Sequence, residues 1–560
     1  MRSSATNRRI VILAFFFALL LGTALARAFW LQAVKGAEYA RMAIQQHRET
    51  VVVPAGRGTI FDRNGDPLAI GEQAITVYAN PRQIVHPRDV TLIVAQALHL
   101  DPGHVYELLT DPSKGFVYLR RKADPARAEA LERQKIPGLG FYPEERREYP
   151  QDRIAAQVLG FAGTDNHGLE GLERSLDPTL SGHAGSETIV KDPSGRALDV
   201  VSTRPETPGK NIRLTIDSQI QAYAQEVLEN TVRQWGARAA TAIVMDPDTG
   251  ALYAMAVAPG FNANRFATTR VDRHRNRAVT DTYEPGSTFK LVTISAALED
   301  RLVTPRTSFT LTPTIQVADR VIHEAHIRGT ERLTVRQIVE QSSNIGTVTI
   351  AERLGPGRLA DWIDRFGFGH QTGVGFPGES PGFALPLDEW SGSTIGTVPI
   401  GQGIAVTPLQ MARAYSAIAN GGRLVRPYLV DRVGGRTVEH GRGRRVVSRR
   451  VSKEMLGMLR GVVLEGTGTE AAIPGYTVAG KTGTAAKVDP DGRYSTTNYV
   501  ASFVGMVPAT RPRLVIMAMV DEPRGTIWGG VVAAPAFQQI ARFCLQHLEV
   551  PPDAPETARR

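Results

Sequence analysis

Residues suited to covalent chemistry stand out in Thr282–Asp300, TYEPGSTFKLVTISAALED. A Pro285-Gly286 turn precedes apolar positions at helical spacing (Phe289, Leu291, Val292, Ile294, Ala297, Leu298), which predicts a helix from near Ser287. Lys290 then falls in the first turn, where the partial positive charge of a helix N-terminus disfavours a cation. It shares a face with Ser287, three residues earlier. A serine hydroxyl is a poor nucleophile until a base removes its proton. A lysine becomes that base when burial or a second cation lowers its pKa, and the helix N-terminus then favours the oxyanion that forms. Read alone, the same pair also fits a lysine that snorkels along the surface.

Two later stretches hold complementary groups. VRQIVEQSSNIGTVTIAERLG contains Ser342-Ser343-Asn344 between helix-like segments. A second hydroxyl can relay a proton toward a leaving amine, and an asparagine amide can grip a substrate backbone with a donor and an acceptor together. A Ser-Asn pair that simply caps a helix reads the same way. GYTVAGKTGTAAK contains Lys481-Thr482-Gly483-Thr484 after an alternating strand pattern. A strand edge carrying a cation and hydroxyls suits a substrate carboxylate, and Gly483 lets a substrate backbone come close. The Thr484 N–H could join that of Ser287 as an oxyanion hole. An ordinary strand-end turn also reads Lys-Thr-Gly.

These groups need a frame. At 560 residues the chain exceeds one hydrophobic core, so several domains are expected. A strand and amphipathic helix from Ile212, two strands around an Asp-Thr-Gly turn in Ala239–Gly260, and a strand in Arg511–Pro523 bracket a helix-rich stretch. That pattern predicts an α+β domain whose sheet joins its two ends. The Pro- and Gly-rich run Thr203–Asn211 marks a boundary before it. Upstream, Val51–Ile70 reads as strands and turns around Asn64-Gly65, helices are expected near Val90–Leu100 and Pro125–Gln134, and Lys35–Arg48 reads as a short polar helix. Arg8-Arg9 precede an uncharged apolar run from Ile10 to Ala26, followed by Arg27 and Trp30. The run is near the ~17-residue lower limit for a spanning helix. A retained anchor with its arginines on the cytoplasmic side is expected, and Ala24-Leu25-Ala26 leaves open a cleaved signal peptide.

Other features point away from other functions. The net charge of +9 is mostly arginine without a nucleic-acid motif, and the basic run Gly434–Arg450 reads as a solvated hairpin or loop. The one cysteine, Cys544, forms no internal disulfide or thiolate cluster and reads as a small buried hydrophobe. His323 and His326, in HEAH, have metal-ligand spacing but no evident third ligand, and read as a surface loop. The glycine-rich GQG and GTGT complete no nucleotide-binding pattern. No metal and no cofactor is expected.

The three motifs, in the order 287, 342, 481, resemble the Ser-x-x-Lys, Ser-x-Asn and Lys-Thr-Gly set of penicillin-binding proteins and class A β-lactamases. Six further stretches resemble class B penicillin-binding proteins: GRGTIFDRNG (Gly56–Gly65), RREYPQ (Arg146–Gln151), GLEGLERSLDPTLSG (Gly168–Gly182), LTIDSQIQ (Leu214–Gln221), GQGIAVTPLQMARAYSAIANGG (Gly401–Gly422) and GGVVAAPAF (Gly529–Phe537). Lys-Thr-Gly, the overall length and KVDPDGRY (Lys487–Tyr494) are most similar to the septal, FtsI-type branch.

The resemblance implies a cytoplasmic tail (1–9), an anchor (10–31), an elongated mixed pedestal (32–205), a transpeptidase domain with an antiparallel sheet flanked by helices (211–550) and a flexible tail (551–560). It implies a single-pass protein of the inner membrane with its catalytic domain periplasmic. Ser287 would be acylated by a D-Ala-D-Ala stem peptide, with Lys290 the general base. Ser342 would relay a proton to the departing D-alanine, Asn344 would hold the donor, and Lys481 would complete the electrostatics around Ser342. Thr482 and Thr484 would bind the terminal carboxylate beside Gly483. A second stem's amine would then resolve the acyl-enzyme, and β-lactams would stall it. An FtsW-type glycan polymerase and other division proteins would be partners, with no nucleic acid. Alternatives are an elongation-type enzyme, a D,D-carboxypeptidase or β-lactamase-like hydrolase, or a non-catalytic β-lactam-binding scaffold.

Overall fold

The computed structural model describes residues 3–39, 48–53, 55–191 and 197–554. Most of the polar helix expected at Lys35–Arg48, and the last residues of the expected C-terminal tail, lie outside the described residues.

The chain divides into two compact units, Met1–Gly56 with Gly182–Gly209, and Arg57–Ser181 with Lys210–Arg560. In the first, helix α1 (Ser3–Phe29) runs into a π-helical turn, Trp30–Val34. The span Asn7–Val34, of mean hydropathy 2.3, is long and apolar enough to cross a membrane, and none of it is buried in the protein. At its end the Arg27 guanidinium lies 5.2 Å and the Lys35 amine 5.9 Å from the Trp30 ring. That is the aromatic and cationic pairing that suits a membrane–water boundary. The unit also holds a three-stranded antiparallel sheet of Arg48–Val53, Gly185–Lys191 and Ala197–Arg204.

In the second unit, part of the expected pedestal is stitched to downstream strands. Ile60–Phe61 pairs antiparallel with Pro67–Ala79 and parallel with Ile212–Leu214, which in turn pairs with Val430–Val433. Helices Pro87–Leu98 and Pro125–Glu132 stand where apolar periodicity puts them, and Val94, Leu98, Ala128 and Leu131 share one buried cluster. Arg57 is buried among acceptors. It donates to Glu173 Oε2 at 2.7 Å, Asp177 Oδ1 at 2.6 Å and the Asn166 carbonyl at 2.7 Å. Arg147 donates to the other Glu173 oxygen at 2.6 Å.

The rest of this unit is built on one antiparallel sheet. Its elements are α2 (Ser218–Trp235), β1 (Ala239–Met245), β2 (Leu252–Ala258), α3 (Lys290–Glu299), α4 (Asn344–Leu354), β3 (Ala479–Val488), β4 (Tyr494–Val507), β5 (Leu514–Asp521) and α5 (Ala534–His547). The strand order is β2-β1-β5-β4-β3, so the two ends of the stretch do meet in the sheet. Every residue of β5 is buried, which explains its unbroken apolar run: it is covered on both faces. One face packs on α2 and α5 through Ile220, Leu228, Phe537 and Ile540, and Cys544 is buried in that layer. The opposite face packs on the cluster that contains α3. The basic run Gly434–Arg450 holds the turn and second strand of the hairpin Val430–Val433/Arg436–Thr437 and ends in the first turn of a helix capped by Ser448.

Candidate active site

The expected helix start is shifted by one turn. Gly286–Phe289 forms a 3-10 turn and the α-helix begins at Lys290. Gly286 adopts φ +54°, a left-handed value that a glycine reaches without strain, and the chain enters the helix through it. Because a 3-10 turn has three residues, Ser287 and Lys290 still lie one above the other. The turn is held from several sides. The Gly286 N–H donates to the Gly401 carbonyl at 3.1 Å, and the Tyr415 hydroxyl donates to the Thr288 carbonyl at 2.9 Å. A Cβ at Gly401 would lie 2.2 Å from the Gly286 carbonyl oxygen. The GQG stretch is therefore a buttress under the serine. The neighbouring Gly403 N–H donates to Glu284 Oε1 at 2.9 Å.

Residues Lys290 to Leu298 of α3 are buried without a break, so Lys290 is embedded in the interior with 2 % of its surface exposed. Its amine donates to the Ser342 carbonyl and to Asn344 Oδ1, both at 2.7 Å, and lies 3.3 Å from Ser342 Oγ. Asn344 Nδ2 donates to the His323 carbonyl at 3.0 Å, which fixes the end of the amide that faces the lysine. Burial pulls the Lys290 pKa well below that of a free lysine. The charge of Lys481 and the guanidinium of Arg328 add to that shift, and Glu324 opposes it. A neutral amine has two N–H groups, which the two short bonds use, and its lone pair is left for a hydroxyl proton. Among the described residues no hydrogen bond joins Ser287 Oγ to Lys290 Nζ; the amine lies against Ser342, and Ser287 lines the same cavity. Such contacts commonly tighten only once substrate is bound.

Lys481 is 1 % exposed, and burial brings its pKa down to about 7. Among the described residues no hydrogen bond joins it to Ser342. Its amine donates to the Thr482 carbonyl and hydroxyl, at 3.4 and 3.5 Å, and it acts on Lys290 through charge. Strand β3 is the edge of the sheet. Its alternate residues Thr482, Thr484 and Ala486 line a cavity of about 690 Å³ that also takes in Ser287, Ser342 and Asn344. Thr482 Oγ1 lies 2.7 Å from Thr467 Oγ1, and Thr484 Oγ1 accepts the Gly529 N–H at 3.1 Å. The room expected at Gly483 is filled by the chain itself. A Cβ there would stand 2.4 Å from Ser502 Oγ and 3.0 Å from the Pro285 carbonyl oxygen, so the glycine admits the turn that carries Ser287.

Residues 240–542 match the penicillin binding protein transpeptidase domain, and residues 52–214 match the penicillin-binding protein dimerisation domain. The chain belongs to the penicillin-binding protein transpeptidase family. It is 32% identical to the peptidoglycan D,D-transpeptidase FtsI of Escherichia coli K12, across 98% of this chain and 93% of that one. It is 36% identical to the penicillin-binding protein PbpB of Mycobacterium tuberculosis, across 94% and 83%. A crystal structure of penicillin binding protein 3 from Mycobacterium tuberculosis, complexed with aztreonam, superposes with a TM-score of 0.71 at 32% identity, over 90% of this chain and 99% of that one.

In this penicillin-binding protein the cavity has a wall that the motifs do not announce. The HEAH stretch, expected as a surface loop, contributes Glu324 and His326 to the cavity lining. His323 ends a short strand, Arg320–His323. The His326 and Trp528 rings lie 4.8 Å apart at the cavity wall. Glu324 accepts the Asn344 N–H at 2.8 Å and the Ser343 hydroxyl, capping α4 from outside its own sequence. The only hint in the sequence is a carboxylate ~20 residues before a helix whose N-terminus lacks one of its own. Among the described residues no group of three or more potential ligands is arranged to hold a metal ion.

Proposed function

We propose that this protein is a peptidoglycan D,D-transpeptidase of the septal type, cross-linking stem peptides through an acyl-Ser287 intermediate. The observation that carries the reading is the interior Lys290 amine, bonded to Ser342 and Asn344 inside the cavity that Ser287 and the Lys-Thr-Gly strand also line. Lys290, held neutral, takes the Ser287 proton as Oγ attacks the carbonyl carbon of the D-Ala-D-Ala bond. The carbon–nitrogen bond breaks, and the departing D-alanine amine takes that proton through Ser342 Oγ. An amine from a second stem attacks the ester, returns its proton by the same route, and Ser287 leaves as a hydroxyl. Thr482 and Thr484 offer hydroxyls to the donor carboxylate, Gly483 gives backbone at the same edge, and Asn344 holds the donor peptide. Lys481 supplies the second cation that keeps Lys290 deprotonated. The N–H groups of Ser287 and Thr484 serve the oxyanion.

The apolar span beginning at Asn7 supports a single membrane anchor. Arg8 and Arg9 support a cytoplasmic N-terminus with the catalytic unit on the other side, the periplasm of an inner-membrane protein. The likeness to a protein named FtsI, across 98% of this chain, supports a role at the septum, and an FtsW-type glycan polymerase is the partner proposed for it there. β-Lactams acylate the same serine.

The test is mass spectrometry of the full-length protein after penicillin treatment. A long-lived adduct on the Ser287 peptide, lost in a folded Ser287→Ala variant, is expected. An adduct elsewhere overturns the assignment, and rapid turnover of penicillin to free acid would make the protein a hydrolase.

A further inference from the structure

Ser342 is a non-glycine residue in the left-handed region, φ +59°. A side chain disfavours that conformation, which persists only where the surroundings hold it. The helix before it ends at Glu340, and the next begins at Asn344, so the serine sits on a tight link between them. One segment grips that link on both sides. On the upstream side Arg328 donates to Gln341 twice, at 2.7 Å to Oε1 and at 3.1 Å to the carbonyl. On the downstream side Glu324 accepts the Asn344 N–H at 2.8 Å, the Ile345 N–H at 3.3 Å and the Ser343 hydroxyl. The His323 carbonyl adds the Asn344 side-chain amide at 3.0 Å. Lys290 holds the remaining carbonyl, that of Ser342 itself, at 2.7 Å.

We propose that the segment His323–Arg328 is a brace for Ser342, with Glu324 and Arg328 as positioning residues that clamp its two sides and tune the neighbouring amine with opposite charges. The proposal rests on the functional reading above and adds residues outside its three motifs. The charged groups that face Lys290 are Lys481 from β3 and Glu324 and Arg328 from this segment. Glu324 favours the ammonium form, and Arg328 disfavours it. Removing the carboxylate therefore makes the free base available at lower pH, and removing the guanidinium delays it to higher pH.

The experiment measures the rate of acylation by fluorescent penicillin from about pH 5 to 10, on the full-length protein in detergent. Glu324→Gln keeps the side-chain shape, and its acid limb is expected to move down by about half a pH unit or more. Arg328→Gln is expected to move the limb up by a similar amount. Glu324→Ala, which loses the carboxylate side of the clamp, is expected to slow acylation about tenfold at every pH. Loosening of the fold alone slows both glutamine variants without opposite shifts. Limbs that coincide with the parent's, or that move the same way in variants whose circular dichroism is intact, overturn the proposal. A parent protein that forms no adduct at Ser287 would instead strike the functional reading.

Discussion

Replacing Lys481 by methionine should slow the enzyme near neutral pH and stabilise its fold. In water the amine titrates near 10.5, and in the interior it titrates near 7. Between those values the unfolded chain binds one more proton than the folded one, so stability rises with pH across that window. The folded-state pKa is the depressed one, and the burden of the buried amine is greatest at and below pH 7. It is about 4 kcal/mol there and vanishes near pH 10.5. Methionine fills the same channel with a flexible apolar chain, and what it gives up is two long contacts to Thr482, at 3.4 and 3.5 Å. If a third of the burden is recovered, the gain is about 1–2 kcal/mol, a rise of roughly 1–2 °C in the melting midpoint of a unit this large. Near-ultraviolet circular dichroism at about pH 6, 8 and 10 reads it directly. The gain should shrink toward pH 10, and so should the deficit in penicillin labelling, because Lys481 carries its charge only near and below pH 7. A midpoint at or below that of the parent, or a gain that does not change with pH, would refute the argument that burial sets this lysine's charge.

Gly401→Ala places a Cβ 2.2 Å from the Gly286 carbonyl oxygen at a φ of +81°, so the turn under Ser287 must move. Penicillin acylation should fall about ten- to a hundredfold in a folded protein, measured as the rate of labelling. Glu173→Gln leaves Arg57 and Arg147 buried without a full countercharge and should cost about 3–5 kcal/mol in urea unfolding, with acylation per folded molecule unchanged.

The groups proposed to do the chemistry are legible as motifs because each motif is local. Ser-x-x-Lys needs one turn, and Lys-Thr-Gly needs one strand. The anchor was legible because the bilayer dictates a length, and the strands of the catalytic sheet because their apolar runs are unbroken. The wall of the cavity was not. Glu324 meets Asn344 and Arg328 meets Gln341 only after the chain has folded back, and no period links them. The positive φ of Ser342 left no mark either, since only glycine or asparagine would have advertised it. Lys481 is expected to complete the electrostatics around Ser342, and its charge does act on the neighbouring Lys290, while its own hydrogen bonds go to Thr482, a detail the motif does not carry. Gly483 was read as space for a ligand because a sequence cannot say whose backbone passes close by.

An open sheet edge is usually a hazard, since it can recruit another chain and seed aggregation. Here β3 is largely buried, and its Thr482, Thr484 and Ala486 line a recess of about 690 Å³, with Ser342 and Trp528 also in its lining. Such a slot admits one slender extended peptide and turns away anything as broad as a second folded sheet. A strand border walled in this way is sheltered from the broad edge-to-edge pairing that seeds aggregation.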